Sequence, residues 1–362
     1  MVGFCRGSKK NLMITPISVA IRSSYYHHAQ NAGYKQILRY TKPKAIFGID
    51  ENSSEHVGTI YSKYLFLNEW KAAQFIKQNK DVQLLHILYG EEYYRFSARW
   101  VNLPIVVTYH QPPEILRQEI TSGNYMGKMY GWAHQFNKNR FNKMAAAIVM
   151  TESQKEVIAE VVNKNKIHVL PLGADLKSLT ESAKKIQVKK EAFQILTVGE
   201  WQRDWEFYFS FIDYCAQHHP TWKFILVNRK LNVAYKKSIS GYKNLTFYDG
   251  VDDHTLYSLY KSSILQLLPF KSAAGNNSLN ESLAFGCPVV TNILGSNYRF
   301  RDEIIKVSER YTNESMAASC LSFLNRDDES LIKISQLAND SVSDFDWENI
   351  ANKTIEIYNS II

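Results

Sequence analysis

SILQLLPF (263–270) is followed by KSAAGNNSLNESLAFG (271–286) and then by CPVVTNI (287–293). The outer pieces are apolar runs of strand length, and the piece between them opens on small and polar residues before a helix-length segment. Strand, loop, helix and second apolar strand make a βαβ unit, and such units build parallel sheets. The alternation extends in both directions. QILTVGE (194–200), KFILVNR (223–229) and LTFYDGV (245–251) lie upstream, and before them come KAIFGI (44–49), QLLHILY (83–89), PIVVTYH (104–110), AAAIVMT (145–151) and IHVLPLG (167–173). The fold class is α/β.

Two domains are expected, because single cores stop growing near about 250–300 residues. The chain has 362 residues, 45% of them hydrophobic, and its 22 Tyr and 18 Phe give two cores ample apolar area. The polar, Lys-rich DLKSLTESAKKIQVKKEAFQ (175–194) has no apolar periodicity and reads as the linker. We place one Rossmann-like domain at 1–178 and a second at 190–345. The segment 346–362 carries acids at its front and Trp347, Ile350, Ile355, Ile357, Tyr358 and Ile361 at helical spacing, a terminal amphipathic helix that packs back on the first domain.

Composition excludes several classes. Cys5, Cys215, Cys287 and Cys320 are scattered without C-x-x-C spacing, so neither a disulfide framework nor a zinc site is indicated and a reducing cytosol fits. The first residues lack the apolar run of a secretory signal, and no run approaches the roughly 18 apolar residues of a membrane span. A soluble or peripheral cytoplasmic protein is expected. Residues 1–180 hold 23 Lys and Arg against 13 Asp and Glu, while residues 181–362 hold 20 against 22, so the net charge of +8 comes from the first half. That asymmetry points the first half at an anionic partner such as lipid head groups. No helix-turn-helix, RRM or finger signature accompanies it, so nucleic acid is not expected.

In parallel sheets ligands sit beyond the carboxyl ends of strands, where free amides of the following helix attract phosphate. In 271–286 the small residues around Gly275 and Asn276 let a ligand approach the backbone, and Asn277 or Ser278 is placed to cap the helix. Glu281 is expected in its first turn, able to accept two hydrogen bonds from a vicinal diol such as ribose. An acid that only stabilises the helix start is the alternative.

The stretch from Leu268 to Thr291 resembles the donor-binding signature of the retaining glycosyltransferase family 4, of the GT-B fold. The resemblance implies two Rossmann-like domains facing across a cleft, with Glu281 on the nucleotide ribose and Gly286-Cys287-Pro288-Val289-Val290 as the strand that follows. Relatives carry another Glu, on the donor sugar, where this chain has Ala273. TVGEWQRDW (197–205) resembles the strand-turn that holds the diphosphate. Relatives place Arg and Lys at the positions of Glu200 and Trp205, so Arg203, beside Gly199, is assigned the diphosphate by its paired donors and permanent charge. Lys271 is a second candidate, and surface pairing of Arg203 with Asp204 or Glu206 is the alternative. Asp249-Gly250-Val251-Asp252-Asp253 resembles the loop bordering the nucleobase, with a helix cap at Asp252 or Asp253 as the alternative reading.

In the first half the resemblance rests on Asn31-Ala32-Gly33-Tyr34, Thr108-Tyr109-His110 and Leu170-Pro171-Leu172-Gly173-Ala174-Asp175. It implies that Gly33 lets donor phosphate or acceptor approach a helix start, and that His110 meets the donor sugar near the reacting carbon. Residues 117–144 interleave Lys128, Lys138, Arg140 and Lys143 with Tyr125, Tyr130, Trp132, Phe136 and Phe141. Both an interfacial membrane helix and a solvated helix with aromatics in the core fit that pattern.

The resemblance implies a hexosyltransferase moving sugar from a nucleotide-diphosphate donor to a saccharide or lipid-linked acceptor, with retention and without metal or other cofactor. The expected setting is bacterial surface polysaccharide or glycolipid synthesis at the inner face of the cytoplasmic membrane. A nucleotide-sugar-binding subunit that lost catalysis and a sugar-nucleotide epimerase remain as alternatives.

Overall fold

The structure, a computed structural model, describes residues 15–24, 33–50, 66–123, 128–229, 231–296 and 298–362. Asn31, Ala32 and Tyr125, singled out in the sequence, and the amino terminus through residue 14 lie outside that set.

Two six-stranded parallel sheets form the molecule. The first contains β1 (Ser18–Ser24), β2 (Ala45–Asp50), β3 (Leu84–Ile87), β4 (Ile105–Tyr109), β5 (Ala146–Val149) and β6 (Ile167–Val169), in the order β2-β1-β3-β4-β5-β6. The second contains β7 (Gln194–Val198), β8 (Lys223–Val227), β9 (Leu245–Tyr248), β10 (Leu265–Leu268), β11 (Val289–Thr291) and β12 (Ile305–Val307), in the order β12-β11-β10-β7-β8-β9. Helices cover both faces of the central strands, which is why β3, β4, β5, β7 and β10 are buried along their whole length and read as mostly apolar runs.

Strand order reverses between β1 and β3 in the first sheet and between β7 and β10 in the second. At such switch points the two connections leave on opposite faces and open a crevice at the strands' carboxyl ends. In the second sheet the crevice is flanked by the Gly199 turn after β7 and by loop 271–276 after β10, the segments singled out in the sequence.

Two strands were not legible. SVAIRSS of β1 is polar at both ends, yet Val19, Ala20 and Ile21 are buried at the centre of the first sheet. β12 is a three-residue edge strand. The stretch read as a linker also differs from expectation. It contains a helix, Leu176–Lys185, capped by the Asp175 carboxylate, and Leu176 and Leu179 bury in the second core. Two apolar anchors in ten residues leave no visible periodicity, although they suffice to dock one helical face.

The last helix, Trp347–Ile361, returns to the first half, where Trp347, Ile350, Ile355, Ile357 and Tyr358 join its core. The Tyr358 hydroxyl meets His86 Nδ1, and His86 Nε2 lies 2.8 Å from Thr108 Oγ1. Burial pushes the His86 imidazole down to about 3, so it serves as a neutral strut. A Cβ at Gly173 would lie 2.6 Å from the Trp347 ring, so the exit strand can pass this helix only as glycine.

Candidate donor site

Gly199 ends β7 with φ +92°, the left-handed region that favours glycine. The turn brings Arg203 back over the strand end, and a Cβ at Gly199 would stand 3.1 Å from Arg203 Nη2. Arg203 is 4% exposed. Its Nη2 donates to Val198 O at 2.7 Å and to Ser278 Oγ at 2.9 Å, and its guanidinium lies 4.5 Å from the Phe270 ring centre. Nε is buried without a hydrogen-bond partner, and no carboxylate pairs with the group among the described residues. Burial pulls its pKa down to about 10. The alternative pairing with Asp204 is removed by geometry: Asp204 caps the helix Trp205–His218 by accepting from Phe207 N and takes a further hydrogen bond from the Tyr311 hydroxyl. A buried cation without a counter-ion is costly for the empty protein, and an incoming anion relieves that cost.

The second element is the helix Asn277–Ala284. Its cap is Asn276, whose Oδ1 accepts from Leu279 N and from Ser278 Oγ. Neither Asn277 nor Ser278 has that role, a correction with a plain cause: the cap lies one residue earlier in the chain than the sequence reading placed it, and Asn277 already belongs to the helix. Ser278 instead joins the cap to Arg203, and Asn277 is left with a side chain that makes no hydrogen bond to any described residue. Glu281 consequently lies in the second turn. Burial pushes its carboxyl up to about 7, partly offset by the Tyr260 hydroxyl, which donates to Oε2 at 3.1 Å. Too far from the free amides to be a helix-start acid, Glu281 keeps an oxygen for a ligand.

The remaining positions sort as follows. A Cβ at Gly275 would come 2.5 Å from Leu172 Cβ, so this glycine lets the loop pack against the exit from the first half. Lys271 is exposed, and only its backbone is engaged, N donating to Gln202 O. Asp252 caps the helix Asp253–Ser262 through Thr255 N, and Asp249 pairs with Lys236 at 2.7 Å.

Across the cleft, His110 follows β4 with its ring stacked on Tyr89 at 4.5 Å and edge-on to Tyr34 at 4.7 Å. Its backbone N–H donates to Glu91 Oε1, which also lies 3.8 Å from Nδ1. Burial holds the Glu91 carboxyl at about 8. Beside it Glu92 accepts from Ser23 Oγ, so three strand ends converge. Gly33, at φ +86°, precedes the short 3-10 turn Tyr34–Ile37. The group around Arg203 and the group around His110 thus stand on opposite halves. Tyr260, Glu91 and Glu92 were missed. Glu91 and Glu92 follow an apolar strand after one glycine, Gly90, which was the available signal.

Among the described residues no group of three His, Cys, Asp or Glu side chains is placed to hold a metal ion. The chain's Asp344-Phe345-Asp346 serves the fold, since Asp346 caps the last helix through Glu348 N.

No family model matches the sequence, and no curated protein matches it either. Solved structures do match in shape. A glycosyltransferase from Rickettsia africae is 15% identical, with a TM-score of 0.64 over 96% of this chain and 98% of that one. Sucrose-phosphate synthase from Thermosynechococcus elongatus is 17% identical, at 0.68 over 95% and 98%. An E. coli structure described as trehalose-6-phosphate bound with UDP-2-fluoro glucose is 12% identical, at 0.64 over 95% and 99%. The chain has the two-domain α/β fold of these proteins, GT-B, with Rossmann-like halves facing across a cleft.

Proposed function

We propose that the chain is a retaining glycosyltransferase of the family 4 type. It moves a sugar from a nucleotide-diphosphate donor to a saccharide or lipid-linked acceptor in bacterial surface polysaccharide or glycolipid synthesis. The observation that carries this reading is Arg203, a buried guanidinium that no carboxylate pairs with among the described residues, at the switch point of the second sheet and one hydrogen bond from the helix Asn277–Ala284. A diphosphate supplies the anion, and Glu281 accepts from the ribose hydroxyls. The glycosyltransferases that share the fold support the same reading.

In the reaction the bond from the sugar's anomeric carbon to the phosphate oxygen breaks, and its electron pair leaves with the diphosphate. Arg203 stabilises that developing charge, with Lys271 close by in sequence to Phe270, over which Arg203 lies. The acceptor hydroxyl attacks the oxocarbenium-like carbon from the same face and passes its proton to the departing phosphate oxygen. His110 bounds the reacting space from the first half. No metal or other cofactor is assigned.

The lipid-linked acceptor finds support in the helix Lys128–Phe136. Its Trp132 and Phe136 are 63% and 53% exposed and stack at 5.7 Å, with the Arg99 guanidinium 4.3 Å from the Phe136 ring centre. No acid occurs from residue 120 to residue 151. Such a surface suits an anionic membrane.

The test is NMR of UDP-glucose, GDP-mannose and ADP-glucose incubated with wild type, Arg203→Ala and Glu281→Ala. Slow release of the sugar by wild type alone, first as the donor's own anomer, is expected. Nucleotide binding without any release in wild type would instead identify the subunit that lost catalysis, to which Ala273 and Glu200 already point.

A further inference from the structure

Loop 271–276 leaves β10 beside Arg203 and holds a lysine but no acid of its own. A carboxylate reaches it from the other half. Ser272 Oγ donates a short hydrogen bond to Glu114 Oε2, which stands 158 residues earlier in the chain. Glu114 lies in the first turn of the helix Pro113–Ser122, four residues beyond His110. It is exposed, and its Oε1 makes no hydrogen bond to any described residue.

Resting on the reading of the second half as a nucleotide-sugar site, the place of the donor sugar follows. Its diphosphate is tethered at Arg203, and its anomeric carbon has to face the first half. The hydroxyls of the sugar therefore pass the seam where Ser272 and Glu114 meet. A carboxylate accepts paired hydrogen bonds from neighbouring hydroxyls, and a serine hydroxyl both donates and accepts. We propose that Glu114, held by Ser272, recognises the hydroxyls of the donor sugar from across the cleft, supplying the acid that the loop lacks at Ala273. Selectivity for the sugar is then divided between the halves, and it is complete only when they are closed on each other.

Calorimetry of wild type, Glu114→Gln and Ser272→Ala with UDP, UDP-glucose, GDP and GDP-mannose tests this, with Tm measured beside it. For the nucleotide that binds, Glu114→Gln is expected to keep the affinity for the diphosphate and to lose about tenfold or more for the nucleotide sugar, the effect of one charged hydrogen-bond acceptor. Ser272→Ala is expected to lose less, in the same direction. Undiminished nucleotide-sugar affinity in Glu114→Gln overturns the proposal and leaves the Arg203 site standing. An equal fall for diphosphate and nucleotide sugar with a lowered Tm also overturns it, reducing Glu114 to a helix-start acid. Wild type binding none of the four ligands overturns both this proposal and the nucleotide-sugar reading.

Discussion

Arg203 is a residue that the empty fold has little reason to keep. Among the described residues its guanidinium hydrogen-bonds to neutral oxygens, those of Trp201, Val198 and Ser278, while burial penalises its charge. Replacement of a buried unpaired charge by an apolar chain of similar length is often neutral or stabilising. Arg203→Met is therefore expected to melt no lower than wild type, measured by differential scanning calorimetry without ligand. The carboxyls make a second prediction. Burial holds Glu281 at about 7 and Glu91 at about 8, against 4.5 for the same group in an unfolded chain. Over that interval the folded state retains protons that the unfolded state has released. The contribution to stability is thus complete below about pH 4.5 and is lost as pH rises through 7 and 8. Tm measured from pH 4 to 9 should fall less steeply for Glu91→Gln than for wild type.

Elements explain what the sequence disclosed and what it withheld. The central strands announced themselves because parallel strands covered on both faces are apolar nearly from end to end, as Leu265–Leu268 and Ile105–Tyr109 illustrate with Gln266 and Thr108 as their interruptions. β1 hid because only Val19, Ala20 and Ile21 carry its burial, with serines at its ends. The site was legible where a backbone feature fixes it, as at Gly199, or where a charge stands in a strand-to-helix turn, as at Arg203. The cap was misread because Asn276, Asn277 and Ser278 are all good cap residues, and one residue of helix phase decides among them. It was also not legible that Glu281 would meet Tyr260 or that Glu114 would meet Ser272, since both contacts are tertiary. Asn276→Ala should cost about 1 kcal/mol of stability, read by urea unfolding of the second half. It should also weaken nucleotide binding, because Ser278 loses the oxygen that orients it toward Arg203.

For the whole molecule, the last helix and the cleft matter most. Trp347 is 2% exposed, packs edge-on to Tyr34 at 5.5 Å and closes against Gly173 at the crossing between halves. Trp347→Ala should destabilise the first half by about 3–5 kcal/mol, the range for a large buried aromatic. Trp132 and Phe136 contribute no such packing. Changing both to Ser is expected to leave Tm within a few degrees while lowering sedimentation with vesicles of anionic lipid. The central claim is that the second half is built to hold a nucleoside diphosphate on Arg203. Isothermal titration calorimetry of UDP, GDP and ADP against wild type and Arg203→Met tests it most directly. One of the three is predicted to bind wild type saturably and to lose about 10- to 150-fold in affinity in Arg203→Met, the equivalent of about 1.5–3 kcal/mol for hydrogen bonds to a charged group. Binding that survives the substitution undiminished, or no binding of any of the three to wild type, would contradict the account.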